Sequence, residues 1–525
     1  MKKFIKIILI LLTITIIGFL IKILYTNFQK NKQNNLLWLN NTITLEKNSE
    51  GVYEVKTKEK ISIFNINYQN VIEQKIKDLK AKQNYSINNP LIIYNPYGTG
   101  MQSYYVYLGK SYKNLNYKIE TTGYSDYINS LNNKKEHQLI GFIPGKTNTL
   151  TLTSGKNKKQ IKITTPSNNN IDTKLQTTGS SEKLTNGLYT VLGHDKNYAS
   201  NIYLYDNEGI LRNELVLDSY RADRIIFKDN YMYYPYSKKG IIKVNSLGKI
   251  EKIYNLGNYS MHHDMVLDGN KLSILVNEDN TETIEDVVIT LDLETSKINK
   301  VLDMKNLLPE LYKKAVNPGK NSYGGTALDW IHINSISIKG NDAILSSREL
   351  SMIIYVTNYK TNPKIKYLLA DESMLEGTSY KNLLYTKTND FTSQAGQHAV
   401  TYISGEDEYY LTMFNNNFGN ITTRKDISWS NFPNIGSYTS GETSYFYKYK
   451  VNDNDKTYTL VTSIKVPYSS IVSDVQLYED NIIVGSGKDN SFGEYDSDGN
   501  LIKQFKYNAK KYAYRVFKYS FDNIK

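Results

Sequence analysis

The segment His332-Ile333-Asn334-Ser335-Ile336-Ser337-Ile338-Lys339-Gly340-Asn341-Asp342-Ala343-Ile344-Leu345-Ser346-Ser347-Arg348 has the pattern of a strand, a tight turn and a returning strand. Apolar residues alternate with small polar ones up to Lys339-Gly340-Asn341, and an apolar run returns from it. Period-two alternation marks a strand with two unlike faces, and Gly-Asn supplies the positive φ of a tight hairpin turn. The unit recurs along the chain. Arg221–Tyr236 turns at Lys228-Asp229-Asn230, and His262–Asn277 turns at Asp268-Gly269-Asn270. His398–Phe414 turns at Gly405-Glu406-Asp407, and Ser473–Ser486 at Glu479-Asp480-Asn481. Further turn signals, Tyr205–Gly209, Val244–Gly248 and Tyr495–Gly499, fall between hairpins and join outer strands.

Repeated strand pairs at this spacing predict an all-β chain with four-stranded propeller blades. Five hairpins, with one more blade closed by strands from both ends, make a six-bladed β-propeller over 180–525. A helical insertion is expected over Lys305–Val316. Upstream, 38–168 reads as an N-terminal β-sandwich, with strands such as Gly51–Val55 and Tyr104–Leu108 and a helix near Val71–Lys82. The polar run Thr165–Thr173 is the linker between the two.

Residues 1–28 read as a signal anchor. Ile7–Ile21 carries no charge, Lys6 and Lys22 flank it, and no small-x-small cleavage site follows. Lys2, Lys3 and Lys6 would stay cytoplasmic, leaving the rest outside a cell membrane in single-pass topology. The net charge of +12 then loses its nucleic-acid meaning. Six lysines and no acid fall in the first 40 residues, so half of the excess sits at the anchor. The chain has no cysteine, which excludes a disulfide scaffold, a cysteine nucleophile and thiolate metal sites.

Of six histidines, His262, His263, His332 and His398 stand at the starts of recurring hairpins. Equivalent positions on successive blades face one another at one mouth of the channel, so the hairpins converge on a histidine cluster. Because neighbours on a strand alternate, only one of His262 and His263 is expected to face it. Arg348 returns beside His332 at the end of its hairpin. Arginine is scarce, six against 58 lysines, and its planar fork holds oxyanions bidentately. Three histidines would suit zinc, but no His-x-His chelate accompanies them and Arg348 repels a cation. No metal and no cofactor are therefore expected. His137 and His194 read as structural or exposed.

The motifs Met261-His262-His263-Asp264, Asp329-Trp330-Ile331-His332-Ile333-Asn334-Ser335, Leu345-Ser346-Ser347-Arg348 and Gly396-Gln397-His398-Ala399 resemble those of the bacterial aryl-sulfate sulfotransferases that use no nucleotide sulfate donor. The likeness extends to Asn95-Pro96-Tyr97-Gly98. Many proteobacterial members carry a disulfide, from which this chain departs. The resemblance implies a six-bladed propeller with an N-terminal β-sandwich, and ping-pong transfer of a sulfuryl group from a phenolic sulfate to a phenol. It implies His398 as the nucleophile that becomes sulfohistidine. His332, His263 and Arg348 complete the catalytic set, and Asn334 and His262 contact substrate. Either His263 or His332 is the acid/base. Expected partners are a phenolic sulfate donor, a phenol acceptor, the membrane and a second copy of the chain, with no nucleic acid. An extracellular aryl sulfatase, and a non-catalytic surface propeller binding anionic ligands, are the alternative readings.

Overall fold

A computed structural model of the protein describes residues 2–168, 172–193, 201–219, 221–321, 323–405, 408–419, 421–509 and 512–521. His194, the turn residues Glu406-Asp407 and the centre of the expected linker lie outside them. The N-terminal helix runs over Lys2–Asn34. Its stretch Leu11–Lys32, 22 residues with exposed apolar side chains, is long and apolar enough to cross a membrane. A signal sequence has the same character.

Two sheets follow. One has the order Ile43–Lys47, Tyr53–Thr57, Leu91–Tyr94, Tyr104–Tyr107, Glu136–Leu139; the other Tyr127–Leu131, Leu115–Glu120, Thr147–Ser154, Asn157–Thr164. They share a core in which Ile92, Tyr104 and Val106 meet Leu115, Ile119, Leu150 and Leu152. The helix Ile66–Ala81 covers the outer face of the first sheet through Tyr68, Val71, Ile72, Ile76 and Leu79. It begins five residues before the sequence expectation because Asn65 caps it, accepting from the N–H of Asn67 and Tyr68. Asn95-Pro96-Tyr97-Gly98 is a joint: Gln69 Nε2 donates to the Tyr97 carbonyl, and the same side chain accepts from Ile250 N.

Beyond residue 175 the described residues form six sheets of up-and-down strand order, antiparallel throughout except where Thr386–Lys387 adds in parallel to the edge strand Thr457–Val466. Their leading strands are Ile226–Lys228, Tyr259–Asp268, Ile333–Lys339, His398–Ser404, Asp474–Tyr478 and Arg515–Tyr519. Each pairs with the strand of the expected hairpin except the last, which pairs with Leu188–Leu192 from the other end of the chain. Gln176–Gly179 likewise adds to the outer edge of the sheet led by Asp474–Tyr478. Two sheets are thus built from both ends. The first hairpin is shorter than expected, its leading strand starting at Ile226 instead of Arg221. The insertion at Lys305–Val316 is two short helices, Met304–Leu307 and Pro309–Lys314, because Pro309 cannot continue the first.

Neighbouring sheets bury apolar and tyrosine side chains face to face. Ile344, Ile353, Tyr355 and Tyr367 of one meet Tyr409, Leu411, Met413, Tyr447 and Tyr449 of the next. Leading strands also exchange side-chain to backbone bonds. Ser335 Oγ accepts from Val400 N, Ser337 Oγ from Tyr402 N, and Asp474 Oδ1 from Val516 N.

The last two sheets are joined by a fully buried ion pair, Lys518 Nζ to Glu494 Oε2 at 2.7 Å. Lys518 also donates to the Thr185 carbonyl and Asn207 Oδ1, and Glu494 accepts from Thr185, Tyr189 and Asn481. Replacing Glu494 by Gln keeps the shape and strands the lysine. We expect Glu494→Gln to cost about 3–5 kcal/mol, read as a lower urea midpoint at unchanged slope. An unmoved midpoint would show that the pair does not hold the two sheets together.

Candidate active site

Three consecutive leading strands break register near their starts: between Met261 and Met265, Ile333 and Ser335, and His398 and Thr401. A non-glycine residue is left-handed at or beside each break: His263 at φ 56°, His332 at 49°, Ala399 at 56°. Such positions cost on the order of 1–3 kcal/mol each and concentrate at functional sites. A bulge re-aims side chains that a regular strand would send to opposite faces. This corrects the alternation expected for His262 and His263. Three residues, His262 to Asp264, stand against one on the partner strand, and both rings are buried with centroids 5.0 Å apart. The His263 ring is 4.8 Å from that of His332.

His398 is buried, and its Nδ1 makes both of its hydrogen bonds, 2.7 Å to Asn416 Oδ1 and 3.0 Å to the Gly396 carbonyl. Both partners accept, so Nδ1 carries the proton and Nε2 holds the lone pair. Asn416 is fixed in turn by donating to the carbonyls of Ser469 and Val472. Burial pushes the His398 pKa well below the usual histidine range; Arg348 and the other histidines push it further, against the Asn416 bond. The side chain is a neutral imidazole with one basic nitrogen.

The flanking motif residues hold this ring in place. Gly396 has φ +63°, and a Cβ there would lie 2.4 Å from the Phe418 carbonyl oxygen. Gln397 Nε2 donates to Ser346 Oγ and to the carbonyls of Ser347 and Met352. Asn334, expected to meet substrate, occupies the bulge: its Nδ2 donates to the Gln397 carbonyl at 2.7 Å, one residue before His398, and its Oδ1 is buried without a partner among the described residues. The Arg348 backbone N–H bonds the His332 carbonyl, and its guanidinium Nη2 comes within 3.9 Å of Asp329 Oδ2.

His332 differs from His398 in charge. Its Nδ1 lies 2.6 Å from Asp329 Oδ2 and 2.5 Å from Glu285 Oε2, while Nε2 is buried without a partner among the described residues. Burial and Arg348 oppose protonation, but the two carboxylates prevail and raise the pKa to about 9. His263 binds Tyr514 Oη through Nδ1 at 2.7 Å and Glu285 Oε2 through Nε2 at 3.1 Å. Burial lowers His263 and His262 to about 4, so both are neutral. Both ring nitrogens of His262 are buried and unpaired among the described residues. His137 lies apart, in the N-terminal sheets, bonded to the Lys134 carbonyl.

Glu285 escaped the sequence reading. It is buried and left-handed at φ 61°, and His263 and His332 outweigh burial to hold its carboxyl well below the usual range. Nothing in Thr283-Ile284-Glu285-Asp286 marks it, since it enters the site from the loop before the third strand of its sheet. Tyr514 is equally hidden. Asn416 lies in an Asn415-Asn416-Asn417 run closing the His398 hairpin, a turn signal that marks a strand end and no role. His262, His263 and Glu285, or Glu285, Asp329 and His332, bring their donor atoms close enough to hold a cation. The close pairs among them are already joined by hydrogen bonds, and Arg348 stands nearby.

A model of the family described as Arylsulfotransferase (ASST) matches residues 173–520. No curated protein matches the chain. Among solved structures, a protein of unknown function from Bacteroides caccae is 8% identical, covering 63% of this chain and 99% of its own, with a TM-score of 0.36. BamB from Moraxella catarrhalis is 11% identical over 67% of this chain and 98% of its own, at 0.31. Apo AztD from Citrobacter koseri is 10% identical over 77% and 99%, at 0.28. At such scores none of these bears on what this chain does.

The Asn416–His398 bond yields a direct expectation. In Asn416→Asp a carboxylate would face Nδ1, so the His398 midpoint in a histidine NMR titration should rise. A midpoint that stays or falls would mean that Asn416 does not set the state of the ring.

Proposed function

The chain belongs to the arylsulfotransferase family, and from that premise we propose that it moves a sulfuryl group from a phenolic sulfate ester to a phenol through sulfo-His398. Residues 1–28 anchor it, 38–168 form a β-sandwich domain, and the six sheets of 180–525 close as a six-bladed propeller outside the cell membrane. The observation that carries the reading is the pairing of unlike histidines: His398 neutral and tautomer-fixed, His332 cationic between two carboxylates, with the Arg348 guanidinium beside them.

His398 Nε2 attacks sulfur, the S–O bond to the aryl group breaks, and the electron pair stays on the aryl oxygen. That oxygen takes the proton of the His332 imidazolium. The released phenol gives way to an acceptor phenol. Its proton returns to His332 as its oxygen takes the sulfuryl group and the S–N bond breaks. Arg348 meets the sulfuryl oxygens with a fork suited to them. A positioned general acid is worth about 10²–10⁴ in rate, and one oxyanion donor about 10²–10³. Burial makes both effects large because little water competes. His262 lines the substrate space with its unpaired nitrogens, Asn334 acts through the His398 backbone, and His263 acts through Glu285.

The test is nitrophenol release from nitrophenyl sulfate, with and without added phenol. Transfer requires release that depends on phenol and yields phenyl sulfate. Release to free sulfate without phenol would make the protein a sulfatase, and no release from folded protein would make it a binding module. His398→Ala should abolish release, and Arg348→Ala should lower kcat/KM by about 10²–10³.

The pH profile is a further expectation. His332 is faced by Asp329, Glu285, Arg348 and His263, and its folded pKa of about 9 means that the acid form is lost as pH rises through that value. His398 is already neutral below the ordinary histidine range. The rate should therefore show no fall near pH 6.5 on the acid side and should decline through about 9. A bell centred on two ordinary histidine values would contradict this assignment.

A further inference from the structure

We propose that Glu285 is the acceptor subsite, receiving the hydroxyl of the incoming phenol, and that the side chain of Tyr323 holds this place when no acceptor is bound. The proposal rests on the sulfuryl-transfer reading for the identity of the ligand as a phenol.

The two oxygens of Glu285 face different ways. Oε2 is taken from within, by His263 Nε2 at 3.1 Å and His332 Nδ1 at 2.5 Å. Among the described residues Oε1 accepts one hydrogen bond, from the Tyr323 hydroxyl at 2.6 Å. Glu285 is 1% exposed, whereas Tyr323 is 62% exposed. A surface tyrosine therefore reaches in with its hydroxyl while its ring lies toward solvent. Its enclosed hydroxyl, beside the Glu285 charge, is held protonated far above the usual range. The group on the outward oxygen of this buried carboxylate is already a phenol.

An O–H donor to an ionised, enclosed carboxylate makes a short and strong bond. A substrate phenol offers the same donor for docking and can replace Tyr323 by rotation of one side chain; the proton it loses in transfer still goes to His332, which shares this carboxylate. The ring of the newcomer enters from the solvent side, where the tyrosine ring now lies. An aryl sulfate ester has no proton to give, and its negative charge is repelled by Glu285. The subsite thus distinguishes the acceptor from a second donor molecule, which a ping-pong site must do once the sulfuryl group is on His398. Tyr323 is held from its own loop by a bond from its backbone N–H to Asn321 Oδ1, which does not depend on Glu285. Losing the hydroxyl bond therefore leaves the loop its own support.

The experiment is calorimetric titration of the full chain in detergent with phenol and, separately, with anisole, which has the ring and oxygen of phenol but no proton. No sulfate ester is present, so failed transfer and failed binding are read apart. Phenol should bind and anisole should not. Tyr323→Phe removes the internal competitor and should tighten phenol about threefold or more, because a larger fraction of the protein is then competent to bind. Glu285→Gln should weaken phenol, and in that background Tyr323→Phe should no longer tighten it. Anisole binding as well as phenol, or Tyr323→Phe leaving phenol binding unchanged or weaker, would overturn the proposal. Both of these outcomes can be read without the Glu285 variant.

Discussion

Everything at the site follows from backbone that leaves the β region at corresponding points of three neighbouring strands. His263, His332 and Ala399 adopt left-handed φ where a regular ladder would continue. Each departure costs conformational energy, and the sheets behind, with their buried tyrosine and aliphatic layers, offset it. In return, side chains that a strand would send to opposite faces are gathered on one side. His262 beside His263, His263 against His332, and Asn334 on the carbonyl before His398 all depend on this.

Burial does the second part of the work. Enclosing an imidazole disfavours its charged form, and His262, His263 and His398 all move in that direction. His332 moves the other way only because two carboxylates converge on one of its nitrogens. One enclosure therefore yields a neutral nucleophile and a cationic acid from the same residue type. Glu285 is the hinge of that separation, since its Oε2 touches both a histidine that burial keeps neutral and one that carries a second proton and a positive charge.

The architecture was legible because alternation and turn residues are local. The strand pairs around Asp268-Gly269-Asn270 and Lys339-Gly340-Asn341 appear where the pattern put them, and two sheets combine strands from both ends of the chain. His263, His332 and His398 stood out because each falls seven to nine residues before a turn, and Arg348 because it ends the hairpin that His332 begins. What escaped was non-local or set by backbone departures. Glu285 and Tyr514 arrive from segments with no repeat signal, the partner of Asn416 is fixed by packing, and the bulges overrode the alternation that would have separated His262 from His263. The helix starts at Ile66 because Asn65 caps it, and Tyr68 carries its buried face one turn ahead of Val71.

Sulfuryl transfer by this chain turns on one covalent event at one nitrogen. The most direct measurement is mass spectrometry of the protein quenched after mixing with nitrophenyl sulfate in the absence of phenol, with peptide mapping. One added sulfuryl group is expected on the peptide bearing His398, removed when phenol is added before the quench. A sulfuryl group on another residue, or nitrophenol released with the protein never modified, would contradict sulfuryl transfer through His398.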